Sequence, residues 1–369
     1  MRIMLVDHLY EGFLLHVYGQ SGSLMQQSFA EQQAHLDRQF FPSAHYWDKP
    51  LRDLGHEVFS VSVNNPFAQV RWCLENNRQD VLKRCSDQYQ FGQAHLRFNN
   101  PQSWVSTIAA EQVEAFRPDI LYCGNMDFFG DDFLRLVRPH YGIAVGQHAS
   151  PVPRIGFETF DLVISSLPNL VAHFRSRGLR SEYLKLAFDH RIIEHLGQGG
   201  RACGLGFLGQ VSADHQNRAV LLRALASAVD MDFWGNDGWE GPGAEHLRLR
   251  KHHPAWGLSM YQNMRSCRMV VNNHIDVAGA FANNLRLFEA TGVGTCLLTD
   301  WKSNLGDLFD IGSEVLAYRD ADEAIRLARH FLAHDAEREA IATAGQARIL
   351  KEHTFAHRAR ELVSILSHL

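Results

Sequence analysis

Short apolar runs alternate with helix-length segments along almost the whole chain, and this alternation limits the fold more than any other feature. Residues 2–6, 57–63, 119–123, 142–146, 162–166 and 181–187 read as strands in the first half, and 205–209, 231–234, 268–271, 295–299 and 314–318 in the second. Strands separated by helices cannot pair as hairpins. They pair in parallel through crossover connections, so the expected class is α/β with doubly wound parallel sheets.

At 369 residues the chain exceeds the usual size of a single core, so two domains are expected. Glycines at 197, 199 and 200 mark a linker, which gives a first domain over 1–190, a linker over 191–203, a second domain over 204–352 and a closing helical segment over 353–369. No internal sequence repeat is visible, so any duplication is architectural. The net charge of −5 and the lack of a lysine or arginine run exclude a nucleic-acid partner. No stretch reaches the ~18 to 20 apolar residues of a membrane span. MRIMLVDHLY reads as a first strand rather than a signal peptide. A cytoplasmic location follows as the expectation, with at most transient association with the inner face of a membrane. The six cysteines show no C-x-x-C spacing and read as reduced, buried thiols.

Residues 272–300, NNHIDVAGAFANNLRLFEATGVGTCLLTD, carry the clearest chemical signal. The polar run from Asn272 through His274 to Asp276 falls where a strand ends, which is where open α/β sheets bind ligands. Asn283 and Asn284 are placed to cap a helix carrying Leu285, Leu287, Phe288 and Ala290, with Arg286 and Glu289 three apart on one side of it. A helix N-terminus offers free N–H groups and partial positive charge to a diphosphate. A carboxylate farther along can accept hydrogen bonds from ribose hydroxyls.

Gly204-Leu-Gly206-Phe-Leu-Gly209 matches G-x-G-x-x-G, but the glycines interleave with the strand instead of following it, so a nicotinamide or flavin site is not expected. Gly209, Gln210 and Ser212 read better as the turn leaving that strand, close to a donor phosphate. In the first half, Asp7, His8, Asp127 and His148 each follow a strand on the same sheet edge, and the segment 7–22 is expected as a loop above it. An Asp or His there could take the acceptor proton in an inverting sugar transfer. His274 and Asp276 alone are too few ligands for a catalytic metal, so none is expected there. No G-x-S-x-G elbow, P-loop lysine or H-E-x-x-H motif is present.

The second half resembles the CgeB-like (spore-maturation-protein-like) bacterial glycosyltransferases of GT-B architecture. The resemblance rests on Asn272-x-His274, the block 283–292 (NNLRLFEATG), Leu298-Thr-Asp300, Asn304-Leu-x-x-Leu-Phe309, Gly312-x-Glu314 and His353-Thr354-Phe355 followed by Arg358. It covers roughly residues 200 to 369. It implies two Rossmann-like domains facing a cleft, with the donor held mainly by the C-terminal domain, the acceptor by the N-terminal one, and the last helix crossing back to the first domain. It places Glu289 on the ribose and Arg286 and His274 near the diphosphate; Gly209 and Gln210 at the strand-end turn and Asn284 at the helix start complete the expected nucleotide-sugar site by position. The donor is then a UDP-, GDP- or dTDP-linked sugar, the acceptor a glycan, glycolipid or protein in cell-surface polysaccharide synthesis, and no metal cofactor is needed. A second glutamate that retaining relatives carry eight positions before the ribose glutamate is Phe281 here, which leaves retention or inversion open. A sugar-nucleotide epimerase or hydrolase, and a binding protein without catalysis, are the other readings of the same pattern.

Overall fold

The computed structural model describes residues 1–41, 45–85, 103–126, 129–150, 156–197, 200–211, 216–236, 244–274 and 278–369. The backbone forms two compact units, one of residues 1–184 with 359–369 and the other of residues 185–358.

In the first unit, β1 (Arg2–Asp7), β2 (Glu57–Ser62), β3 (Ile120–Cys123), β4 (Ile143–Gln147), β5 (Leu162–Ser165) and β6 (Ser181–Tyr183) form one sheet in the order β2-β1-β3-β4-β5-β6. Every pairing is parallel. β3 and β5 are buried at every position, as strands covered by helices on both faces must be. The chain passes from β1 to β2 and then returns to the other side of β1 for β3. The carboxyl ends of β1 and β3 therefore flank the point where the winding reverses.

The segment expected as a loop over 7–22 instead contains a helix, Glu11–Gln20, that buries Phe13, Leu14, Val17 and Tyr18. That spacing is a helical stripe, and the exposed Gly12 and Gly19 obscure it in the sequence without breaking it. The C-terminal tail is tied to this unit by a 2.7 Å hydrogen bond from Arg180 Nη2 to the His368 carbonyl.

In the second unit, β7 (Cys203–Leu208), β8 (Met231–Trp234), β9 (Lys251–His252), β10 (Cys267–Val271), β11 (Cys296–Asp300) and β12 (Leu316–Tyr318) form a second parallel sheet, ordered β12-β11-β10-β7-β8-β9. Its core packs Leu205, Phe207, Met269 and Leu298 against Leu222 and Leu225 of one helix and Ala324, Ala328 and Ile341 of two others. Gly204 and Gly206 lie inside β7, so the G-x-G-x-x-G string is strand rather than phosphate loop. The reversal of winding here falls between β7 and β10. Between β8 and the helix Gly257–Ser266 lie the helix Ala244–Leu249 and the edge strand β9, neither of which the strand pattern of the sequence marks. Residues 192–195, inside the expected linker, form a helical turn, and Cys203 already belongs to β7. All six cysteines are buried and none is in a disulfide. Among the described residues no helix is long and apolar enough to cross a membrane.

His353, the first residue after the helix Asp335–Glu352, is 2% exposed and held between Phe288 and Phe309, with Nε2 3.2 Å from the Leu308 carbonyl. Burial, reinforced by the Arg358 charge, lowers its pKa to about 4. The unfolded chain binds that proton near pH 6.5, so the stabilising effect of the neutral ring is complete above about 6.5 and is lost as pH falls toward 4. Urea unfolding is expected to show on the order of 1–3 kcal/mol less stability at pH 5 than at pH 7 from this group. His353→Gln should reduce the pH dependence by that share, the share of other buried histidines remaining, and an equal pH dependence in the variant would exclude His353 as a source.

Candidate functional site

The strongest candidate lies at the carboxyl edge of the second sheet, on the strands beside its reversal point, the position at which open α/β sheets bind ligands. β10 ends at Val271, and the next three residues are fixed by neighbouring strand ends. The Asn272 backbone N–H donates to the Leu298 carbonyl at 2.8 Å. Its side-chain Nδ2 donates to Thr299 Oγ1 at 2.9 Å, and its carbonyl accepts from the Tyr318 hydroxyl at 2.8 Å. Asn284 Nδ2 donates to Asn272 Oδ1 at 2.7 Å, while Asn284 Oδ1 accepts from Leu287 N at 3.2 Å as the N-cap of the helix Leu285–Gly292. Asn284 alone supplies the side-chain cap, where the sequence offered Asn283 equally. Both of its polar atoms serve to aim the helix start at the loop.

His274 has a fully buried side chain. Its Nδ1 and its backbone N–H both meet Asp300 Oδ1, at 2.7 and 3.0 Å. An ionised carboxylate only accepts, so Nδ1 carries the proton and Nε2 is the ring atom left to a ligand. Nε2 has no hydrogen-bond partner among the described residues. Burial on its own would raise the Asp300 carboxyl, but the hydrogen bond and charge of His274, with Lys302 at 3.4 Å, outweigh it and hold Asp300 below its ordinary value. Asp276 lies outside the described residues.

Arg286 and Glu289 do pair, at 2.8 Å, but they are not a solvated surface pair. Their side chains are 17% and 5% exposed. The guanidinium also lies against the sulfurs of Met260 and Met264, and Tyr261 donates to Glu289 Oε1 at 3.1 Å. Each carboxylate oxygen thus holds one donor and keeps capacity for another. Tyr261 comes from the helix Gly257–Ser266, a partnership that the sequence around Glu289 does not announce.

On the other side of the reversal, the Gly209 N–H donates to the Trp234 carbonyl at 3.0 Å. A Cβ at Gly235 would stand 2.2 Å from the Gly209 carbonyl, so only glycine lets these two strand ends approach. Gln210 contributes its carbonyl, which accepts from Arg218 Nη1 at 2.9 Å, and Arg218 Nη2 donates to the Asn273 carbonyl at 2.7 Å. Arg218 therefore ties the loop after β7 to the loop after β10 and places a cation at the reversal point. Sequence reasoning did not single it out. Asp300 and Tyr318, which orient the loop from two neighbouring strands, were likewise read only as strand ends. Ser212 lies outside the described residues.

In the first unit, Asp7 and His8 end β1 beside Asn125, which follows β3. Asp7 Oδ1 accepts the His8 N–H at 2.8 Å and lies 3.8 Å from His8 Nδ1, and Asn125 Nδ2 is 3.3 Å from that same ring nitrogen. A Cβ on Gly124 would crowd the Asp7 carboxylate at 3.1 Å, so glycine makes room for it. Burial lowers the His8 pKa to about 4, leaving a neutral imidazole at pH 7. His148 ends β4, two strands from β1, and is buried with Nε2 3.3 Å from Ser150 Oγ. It shares the sheet edge with Asp7 and His8 without joining their cluster. Asp127 lies outside the described residues.

Residues 217–364 match the family described as glycosyl transferase-like. No curated protein matches the chain. Among solved structures, HepE from Anabaena, in complex with UDP and glucose, aligns over 100% of both chains at 13% identity with a TM-score of 0.60. A glycosyltransferase from Rickettsia africae aligns over 99% of this chain and 97% of its own at 9% identity and TM-score 0.57. Sucrose-phosphate synthase from Thermosynechococcus elongatus aligns over 72% and 78% at 12% identity and TM-score 0.51. At these identities the likeness is one of fold, and it covers both of the parallel α/β sheets described above. The chain thus carries a glycosyl transferase-like domain in residues 217–364 and has the GT-B fold of these structures.

Proposed function

We propose that the protein transfers a sugar from a nucleoside-diphosphate sugar to a glycan, glycolipid or protein hydroxyl in the cytoplasm, as a CgeB-like enzyme of cell-surface polysaccharide synthesis. The donor binds the second unit, and the acceptor is handled by the first. The observation that carries this reading is the site beside the reversal between β7 and β10. A buried histidine whose Nε2 has no hydrogen-bond partner among the described residues, a cation at Arg218 and an asparagine-capped helix start lie within one set of hydrogen-bonded strand ends, with a carboxylate farther along the capped helix.

Charge-assisted donors and a helix N-terminus suit a diphosphate leaving group, because they stabilise the negative charge that grows as the C1–O bond to phosphate breaks. Arg218 fills that role, and His274 joins it in the imidazolium form, with Nδ1–H on Asp300 and Nε2–H on a phosphate oxygen. Glu289 accepts from the ribose hydroxyls, and Arg286 holds its carboxylate in place. Of the three expected nucleotides, UDP takes precedence because HepE, whose fold this chain shares, is seen with UDP and with UDP-glucose. The division of the chain into 1–190 and 204–352 with a joining segment is proposed as the division between acceptor and donor handling.

Adding UDP, GDP or dTDP to the purified protein tests the reading. A nucleotide at 100 times its Kd stabilises the folded state by about 2.7 kcal/mol, which raises Tm by several degrees. Millimolar nucleotide without any rise would rule out the donor site. Turnover of UDP-sugar that is indifferent to every acceptor would instead mark a hydrolase or epimerase.

A further inference from the structure

The groups on the second unit's surface include one cluster that sugar transfer does not use. His330 is in the last turn of the helix Ala321–Ala333, His334 follows that helix, and Glu337 is in the first turn of the helix Asp335–Glu352. One donor atom from each lies within 4.8 Å of the others, and all three residues are exposed. We propose that His330, His334 and Glu337 form a surface binding site for a divalent transition-metal ion of the zinc class, fastening the junction between the two helices.

The hydrogen bonding already resembles that of a ligated site. His334 Nδ1 meets the His330 carbonyl at 2.7 Å; a carbonyl only accepts, so the proton sits on Nδ1 and the Nε2 lone pair is left for a metal. Metal-bound histidines are commonly oriented in this way, by donating the other ring N–H to a carbonyl. His330 Nε2 is 3.0 Å from Glu337 Oε2, a position in which a metal takes the place of the shared proton. That proton moves to His330 Nδ1 or leaves to solvent.

The rings of His330 and His334 stack at 4.1 Å with 16° between their planes. Tetrahedral zinc, with bonds of about 2.0–2.2 Å, needs its donors roughly 3.4 Å apart, so the rings must splay slightly. Exposed side chains make such a rotation readily, and the backbone beneath them is held. Arg338, only 3% exposed, donates to the Phe331 carbonyl at 2.9 Å and to Asp335 at 2.7 Å, bracing the turn that carries all three ligands. Two imidazoles and one carboxylate select zinc, nickel or copper over magnesium and calcium, which favour oxygen-only sets. With three protein donors, the fourth position belongs to water.

The test is calorimetric titration of the chelator-treated, untagged full-length chain with zinc chloride at pH 7.5, alongside His334→Ala and Glu337→Gln. The expected result is one zinc per chain in the micromolar range, a rise in Tm on loading, no response to magnesium, and affinity ~10-fold or more weaker in each variant. Circular dichroism confirms that these surface variants fold. Wild-type protein that binds no zinc at 100 µM (roughly a hundred times a micromolar Kd) would overturn the proposal, as would variants with wild-type affinity.

Discussion

Replacing His8 with alanine is expected to reduce kcat by roughly 10²- to 10⁴-fold, the range for losing a positioned general base. We propose His8 as that base: if the transfer inverts, it takes the proton of the acceptor hydroxyl as the hydroxyl oxygen attacks C1 and the bond to the diphosphate breaks. His8 fits because burial keeps it neutral at pH 7, with its pKa lowered to about 4, and because it ends β1 at the reversal of the first sheet. Asn125, with the Asp7 carboxylate 3.8 Å from the same nitrogen, bears on which ring nitrogen is available. With its amide nitrogen toward Nδ1, 3.3 Å away, the ring proton is held on Nε2; turned by half a rotation, its oxygen accepts Nδ1–H and Nε2 becomes the base. Since the acidic limb follows deprotonation of His8, kcat should stay level from pH 8 to pH 6 instead of falling near 6.5. The assay measures sugar transfer and UDP affinity side by side. Loss of turnover with unchanged UDP binding supports the assignment, whereas near-normal turnover moves the base to Asp7 or His148.

Glu289→Gln is expected to weaken UDP binding about 10- to 100-fold, from the ~1.5–3 kcal/mol carried by hydrogen bonds to a charged acceptor. Glutamine is the informative change. Alanine would leave the Arg286 guanidinium buried against Met260 and Met264 without its carboxylate, and that loss would confuse binding with stability. The amide keeps the shape and one acceptor oxygen, for Arg286 or for Tyr261, while removing the negative charge, and the Tm of the variant reads the stability lost with the ion pair. Calorimetry with UDP, and with uridine to isolate the nucleoside, reads the effect. Affinity within twofold of wild type would mean that Glu289 serves Arg286 and Tyr261 alone, and the ribose contact would lie elsewhere.

Most of the architecture was legible because period and composition act locally. Buried parallel strands are near-continuous apolar runs, and 120–123 and 162–165 show it plainly. The same reasoning failed over 11–20, where glycines suggested a loop although four apolar side chains at helical spacing were enough to bury one face. It missed β9 because a two-residue edge strand, Lys251–His252, has no pattern to read and exists only through pairing with β8.

The candidate site divides in a similar way. Asn284, Arg286 and Glu289 share one helix and its cap, so their spacing on that helix followed from the chain itself. Arg218, Tyr261, Asp300 and Tyr318 reach the same region from 55, 28, 26 and 46 residues away from their respective partners. No local period encodes separations of that kind. By itself the sequence determined two parallel α/β sheets, the strand ends that matter and the helix carrying Glu289, because these depend on neighbours in the chain. Only the tertiary structure decided that His274 is held by Asp300 with Nε2 left over, that Arg286 and Glu289 are buried instead of solvated, and that His330, His334 and Glu337 converge. Those outcomes depend on which strands and helices lie side by side, and that is set by the packing of the whole unit.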